Sequence, residues 1–208
     1  MNYRIVILIF ALCAAAFAGN AIDIVDKSEA LYSKSGPFSA KFTQTVSTGD
    51  FFDDEKVEGT LIMSYPRQFR IDTREQVIVS DGDTLWSYSA ENRQVVVEAI
   101  SKSKETITPA DYLFNFKQNY NLDYDSTDVI DKVTVRRLSL RSKSQDQYVR
   151  SMKVYVNGST FQIRRVVYRD LNDNKITLDF SDWKMGIKTT PDHFHFKTPR
   201  GVEEIRLP

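Results

Sequence analysis

The sequence predicts one β-rich domain that opens with a helix and is interrupted once, near its middle, by a second helical segment. Three observations carry this reading. Short runs alternating apolar and polar residues recur along most of the chain, separated by Gly, Pro, Asn or Asp. The first segment after a basic and apolar start has a helical rather than an alternating pattern and stops at Gly36-Pro37. Thr108-Pro109-Ala110-Asp111 has the composition of a helix start in the midst of strand patterns.

In chain order, Ile22, Val25, Leu31 and Tyr32 form a weak helical stripe over Ile22–Lys34. In Phe38–Gln44, Phe38, Ala40 and Phe42 share one strand face and Ser39, Lys41 and Thr43 the other. Strands are expected at Val57–Tyr65, Gln68–Thr73, Val77–Ser80, Thr84–Ser89 and Arg93–Ile100, joined as an antiparallel meander. Ser80-Asp81-Gly82-Asp83 marks a hairpin, its Asp-Gly pair supplying positive φ angles. A helix over Pro109–Phe116 places Pro109, Leu113 and Phe116 on one face, with Thr108 as N-cap and Asp111 at the positive helix end. Strands resume at Val133–Leu140, Tyr148–Val156, Phe161–Arg169, Lys175–Trp183 and Phe194–Phe196, with Asn157-Gly158 and Asn172-Asp173-Asn174 as turns.

Arg4, the apolar run Ile5–Leu12 and Ala16-Phe17-Ala18 before Gly19 read as an export signal cleaved after Ala18. The mature chain, residues 19–208, is then one domain without cysteine, because Cys13 lies in the signal. Lipidation of Cys13 calls for a small residue before it, and Leu12 stands there. No later segment is apolar and long enough to span a bilayer, so a soluble exported protein is expected. The 28 basic and 28 acidic residues cancel, which argues against nucleic acid as the partner. Arg136-Arg137, Arg141-Lys143 and Arg164-Arg165 are read as solvated strand faces.

Signals for catalysis are thin. His193 and His195 are the only histidines, spaced i, i+2 beside Asp192, and a zinc site would need further ligands. Asp53-Asp54-Glu55 lacks the spaced oxygens and turning glycine of a Ca²⁺ loop. Asn157-Gly158-Ser159 fits a glycosylation sequon but is explained by its turn. No phosphate loop or nucleophile elbow is present, so no catalytic or metal residues are assigned and an enzyme is not expected. What stands out is the apolar inventory of Val57–Ile71. If the strand runs through, Val57, Leu61, Met63, Tyr65, Phe69 and Ile71 share a face with Arg67. That face suits either an ordinary sheet core or the lining of a ligand cavity.

Four segments in order resemble the periplasmic outer-membrane lipoprotein carrier family, LolA. They are Phe38–Gln44, Gly59 through Pro66 to Ile71, Val79–Tyr88 and Phe194–Val202, so the resemblance spans essentially the whole mature chain. The family implies a strongly curved antiparallel sheet, a half-open β-barrel, with a lid of short α-helices over an apolar cavity for acyl chains. It implies acylated lipoproteins as cargo, an inner-membrane ABC-type lipoprotein-releasing complex as donor, and an outer-membrane receptor where the organism has one. It implies a monomer with no cofactor. On this template the cavity residues are Phe42, Leu61, Met63, Phe69, Ile71 and Trp86, and the lid residues are Leu31, Leu113 and Phe116. Well-characterised members of the family hold the lid with an arginine just before the proline that is Pro66 here. This chain has Tyr65 there, and Tyr65 and Arg67 are the latch candidates. Other readings are a carrier for another acylated lipid, glycolipid or pigment, or a sensor of lipids or lipoproteins.

Overall fold

Twelve strands hydrogen-bond edge to edge in one open, curved sheet, in the order β12-β6-β5-β4-β3-β2-β1-β11-β10-β9-β8-β7. The computed structural model describes residues 9–48, 53–100, 108–144 and 148–207. Residues 1–8 of the expected signal lie outside these, and the remainder of that segment continues the first helix, α1, Ile9–Lys34. Among the described residues no helix is long and apolar enough to cross a membrane.

The first half is the expected meander: β1 Phe38–Ser47, β2 Glu55–Ser64, β3 Gln68–Thr73, β4 Gln76–Ser80, β5 Thr84–Ser89 and β6 Gln94–Ala99. Val57–Ile71 is not one continuous strand. It folds back at Tyr65-Pro66-Arg67, with a cis Tyr65-Pro66 bond, so that Ser64 pairs with Gln68. Three turn residues preserve the alternation, and Leu61 faces Ile71 while Met63 faces Phe69 across the strands. Two rows cross the sheet on its concave side: Phe38-Met63-Phe69-Ser80-Leu85 and Ala40-Leu61-Ile71-Ile78-Ser87. The Asp81-Gly82 turn uses one positive φ rather than two, at Gly82 (108°). The Asp81 side chain closes it, accepting the N–H groups of Asp83 (3.0 Å) and Thr84 (2.8 Å).

The second half comprises β7 Tyr120–Ile130, β8 Val133–Ser142, β9 Ser151–Asn157, β10 Ile163–Arg169 and β11 Lys175–Met185, with β11 returning beside β1. β7 has no counterpart in the sequence reading. Asp123, Asp125 and Asp128 lower its strand propensity, yet they suit a sheet edge, where charge discourages pairing with another chain. Arg137 pairs with Asp125 (3.3 Å) and Asp128 (3.1 Å), and Arg165 with Asp179 (2.6 Å), so these basic strand residues face acidic neighbours.

The C-terminal segment departs from expectation. Phe194–Phe196 is not a strand: Pro191–Phe194 is a 3₁₀ turn, begun by Thr190, whose N–H donates to His193 Nδ1 (3.0 Å). A short strand, β12 Glu203–Arg206, then pairs with β6 in parallel, so the sheet is not wholly antiparallel. This segment covers the convex face, where Val79, Trp86, Val95 and Val97 form a second apolar cluster under Phe196 and Val202.

Candidate functional site: the lidded concave face

The concave face carries the main core. Leu61, Met63 and Phe69 are buried there, and Phe42 and Ile71 pack against them. Trp86 does not belong to it. Strand alternation sends Leu85 to the concave side and Trp86 to the convex cluster, where its ring meets His195 edge-on at 5.0 Å. The second tryptophan, Trp183, is the concave one, stacked against Tyr32 (5.1 Å), Phe38 (5.8 Å) and Phe180 (5.5 Å).

Three helical pieces cover this face. The segment expected as one helix over Pro109–Phe116 is two, α2 Pro109–Leu113 and α3 Phe116–Asn119, broken at Asn115, whose φ is 60°. α2 starts as its composition predicts. The Asp111 carboxylate accepts both the N–H and the hydroxyl of Thr108, each at 2.8 Å. α1 buries Ala21, Ile24, Val25, Ser28 and Tyr32, a stripe rotated from the expected one, and Ile22 is exposed. Leu113 and Phe116 are buried and Leu31 partly so. The sequence reading missed two larger lid contributions, Tyr32 and Phe114, which meet edge-on at 5.7 Å. Both pack on Phe38, at 5.0 and 6.4 Å. The periodicity of α1 gave a signal for Tyr32; Phe114 comes inward only because the helix breaks beside it.

Polar contacts join α1 to the sheet, strand to strand beneath it, and helix to helix. The buried Tyr32 hydroxyl accepts the Ile163 N–H at 2.8 Å, and Trp183 Nε1 donates to the Ile163 carbonyl at 3.1 Å. Burial pushes the Tyr32 phenol well above its ordinary range, so it stays protonated. Phe161, at φ 60°, lies between the Lys27 ammonium (5.3 Å) and the Arg136 guanidinium (5.6 Å). Between the helices, Glu29 Oε1 accepts the Phe116 N–H at 3.0 Å, and Lys117 pairs with Asp26.

Of the latch candidates, Tyr65 reaches the lid, its ring edge-on to Phe114 at 5.1 Å while the residue stays 45% exposed. Arg67 is exposed and its stem lies beside Gly82, at the tip of the next hairpin. A cleft of about 470 Å³ lies at a sheet end, lined by Ser47, Asp54, Arg169 and Asn174 among others, and is polar. Leu31, Tyr32, Leu113, Phe114 and Phe116 pack into the hollow side of the sheet. Among the described residues no three His, Cys, Asp or Glu side chains gather as a metal site.

A twelve-stranded open sheet, covered on its hollow side by three helical pieces that pack on it, defines a lidded half-barrel. Residues 33–197 match the family described as "Outer membrane lipoprotein carrier protein LolA", and the chain belongs to that family. Curated relatives include the outer-membrane lipoprotein carrier proteins of Methylibium petroleiphilum and Nitrosomonas europaea. The first is 28% identical, covering 94% of this chain and 95% of the relative. The second is 26% identical, covering 99% and 100%. Among solved structures, an uncharacterised conserved protein of Thermus thermophilus superposes with a TM-score of 0.62 at 16% identity, over 90% of this chain and 99% of its own. A LolA superfamily protein of Nitrosomonas europaea superposes with a TM-score of 0.50 at 14% identity, over 85% and 97%. Both share the fold.

Proposed function

We propose that this protein is a periplasmic carrier that shields the acyl chains of lipoproteins between lid and concave sheet on their way from the inner to the outer membrane. The observation that carries the reading is that the hollow side of the sheet is predominantly apolar and is covered only by helices. An acyl chain of ~16 carbons left in water costs on the order of 13 kcal/mol, at about 0.8 kcal/mol per CH₂. A permanently closed container would not exchange its contents. Here Leu31, Tyr32, Leu113, Phe114 and Phe116 occupy the hollow when it holds no cargo, so the lid competes with the acyl chain and release is built in.

On this reading Phe42, Leu61, Met63, Phe69 and Ile71 line the acyl site, and Tyr65 rather than Arg67 helps to hold the lid through Phe114. The domain is residues 19–208, exported after cleavage near Ala18 and working as a monomer. An inner-membrane ABC-type complex loads it with acylated lipoprotein, and an outer-membrane receptor or the membrane itself unloads it.

The two tryptophans offer a test, because they stand on opposite faces of the sheet. Binding of an acyl-chain ligand should change Trp183 emission and leave Trp86 emission alone. Trp86→Phe is then expected to keep the fluorescence response and Trp183→Phe to lose it, with binding followed separately by the ligand's own label. A response that disappears with Trp86 would place the ligand on the wrong face and refute the reading.

A further inference from the structure

Two neighbouring residues of α1 work against the closure that the rest of the helix favours. Ser28 sits in the middle of the buried stripe, one turn after Ile24 and one before Tyr32. It is 1% exposed, and its hydroxyl has no hydrogen-bond partner among the described residues. An unpaired buried hydroxyl costs closure the hydration that it had in water. Next to it, the half-buried Glu29 carboxylate faces the start of α3, where it accepts the Phe116 N–H at 3.0 Å. Lys117 of α3 and Asp26 of α1 are the charged groups around it, and they already pair with each other. Lys143, beyond the end of β8, donates to the Lys117 carbonyl at 2.5 Å and so flanks the same contact.

We propose that Ser28 and Glu29 set the carrier's affinity for acyl cargo by keeping the closed, empty lid less stable than its apolar packing alone would make it. This rests on the carrier reading above. Both groups are hydrated when α1 lifts and dehydrated when it closes, so each favours the open, cargo-accepting lid.

The Glu29 contribution depends on pH. Its carboxyl titrates above the ordinary glutamate range, first because burial disfavours the charge, which outweighs the lowering by the Phe116 N–H and Lys117. The closed lid therefore takes up a proton more readily than the open one. Extra closed-lid stability is fully present below the ordinary glutamate pKa and is lost as pH rises through the raised value. Acidification favours closure and weakens cargo binding.

The test uses the full-length mature protein, a pyrene-labelled diacylglyceryl ester with no titrating group, and the variants Ser28→Ala and Glu29→Gln. Glutamine keeps an oxygen for the Phe116 N–H. Each variant is expected to raise the cargo-free Tm at pH 7. Probe affinity should fall, roughly fivefold to tenfold for Ser28→Ala. Wild-type affinity should fall between pH 7 and pH 4.5, and Glu29→Gln should flatten that profile. The affinity loss separates this account from simple helix propensity, which α1 would carry open or closed. If the wild type binds the probe and both variants match its affinity, or if Glu29→Gln keeps the wild-type pH profile, the proposal is overturned. If the wild type itself binds no probe, the carrier reading fails and the proposal falls with it, whatever happens to Tm.

Discussion

Tyr32→Ala is expected to destabilise the protein by about 3–5 kcal/mol, the range for removing a large buried aromatic side chain. For a chain of this size that corresponds to a fall in Tm on the order of 10–15 °C. The ring is fully buried and packs on Phe38, Phe114 and Trp183, so its loss opens a void where lid and sheet meet. It also strands the Ile163 N–H, which donates to the hydroxyl at 2.8 Å. Tyr32→Phe separates the two contributions. It keeps the ring and removes only the acceptor, at a cost of about 1–3 kcal/mol. Because that contact joins α1 to β10, Tyr32→Phe should lower Tm while raising affinity for an acyl probe. Thermal unfolding and probe titration check both together. An unchanged Tm in Tyr32→Phe would mean that the hydroxyl does not anchor the lid.

Gly59→Ala is the second large effect. Gly59 lies in β2 between Phe42 of β1 and Thr73 of β3. A Cβ there would stand 2.5 Å from the Asp72 carbonyl oxygen and 2.8 Å from two carbons of the Phe42 ring. The ring can turn, but the carbonyl belongs to the neighbouring strand, so β3 must move. Overpacking of this kind costs about 1–3 kcal/mol and more where backbone shifts. Gly59→Ala should lower Tm by roughly 2–4 °C per kcal/mol lost. Phe42→Ala in the same chain should recover none of the part that comes from the carbonyl clash. Complete rescue by Phe42→Ala would show that the ring alone was the obstacle.

Much of the architecture was legible from residue pattern. β3 and β5 have their expected limits because alternation and turn residues agree there, and Thr108-Pro109 marks the start of α2. The fold beyond that depends on long-range pairing. β7 is invisible to propensity because its aspartates are chosen for an edge, and whether a strand is an edge depends on the whole sheet. The parallel pairing of β12 with β6 joins segments about a hundred residues apart, which local pattern does not encode. The site divides in the same way. The faces of Leu61, Met63, Phe69 and Leu113 follow from spacing, whereas Phe116 lies past the break at Asn115. Trp86 was assigned to the cavity by resemblance, while the alternation Leu85-Trp86 decides its face only once the neighbouring strands are placed. Glu29 was not singled out in the sequence, because its partner, the Phe116 N–H, stands just after the break at Asn115.

The most direct test of the carrier role is complex formation between the mature protein and a purified lipoprotein, with and without its acyl chains, followed by size-exclusion chromatography and native mass spectrometry in the absence of detergent. A soluble one-to-one complex should form with the acylated form alone, accompanied by a change in Trp183 emission. Equal binding of the form without acyl chains, or failure of the folded protein to keep the acylated form in solution, would contradict the carrier role.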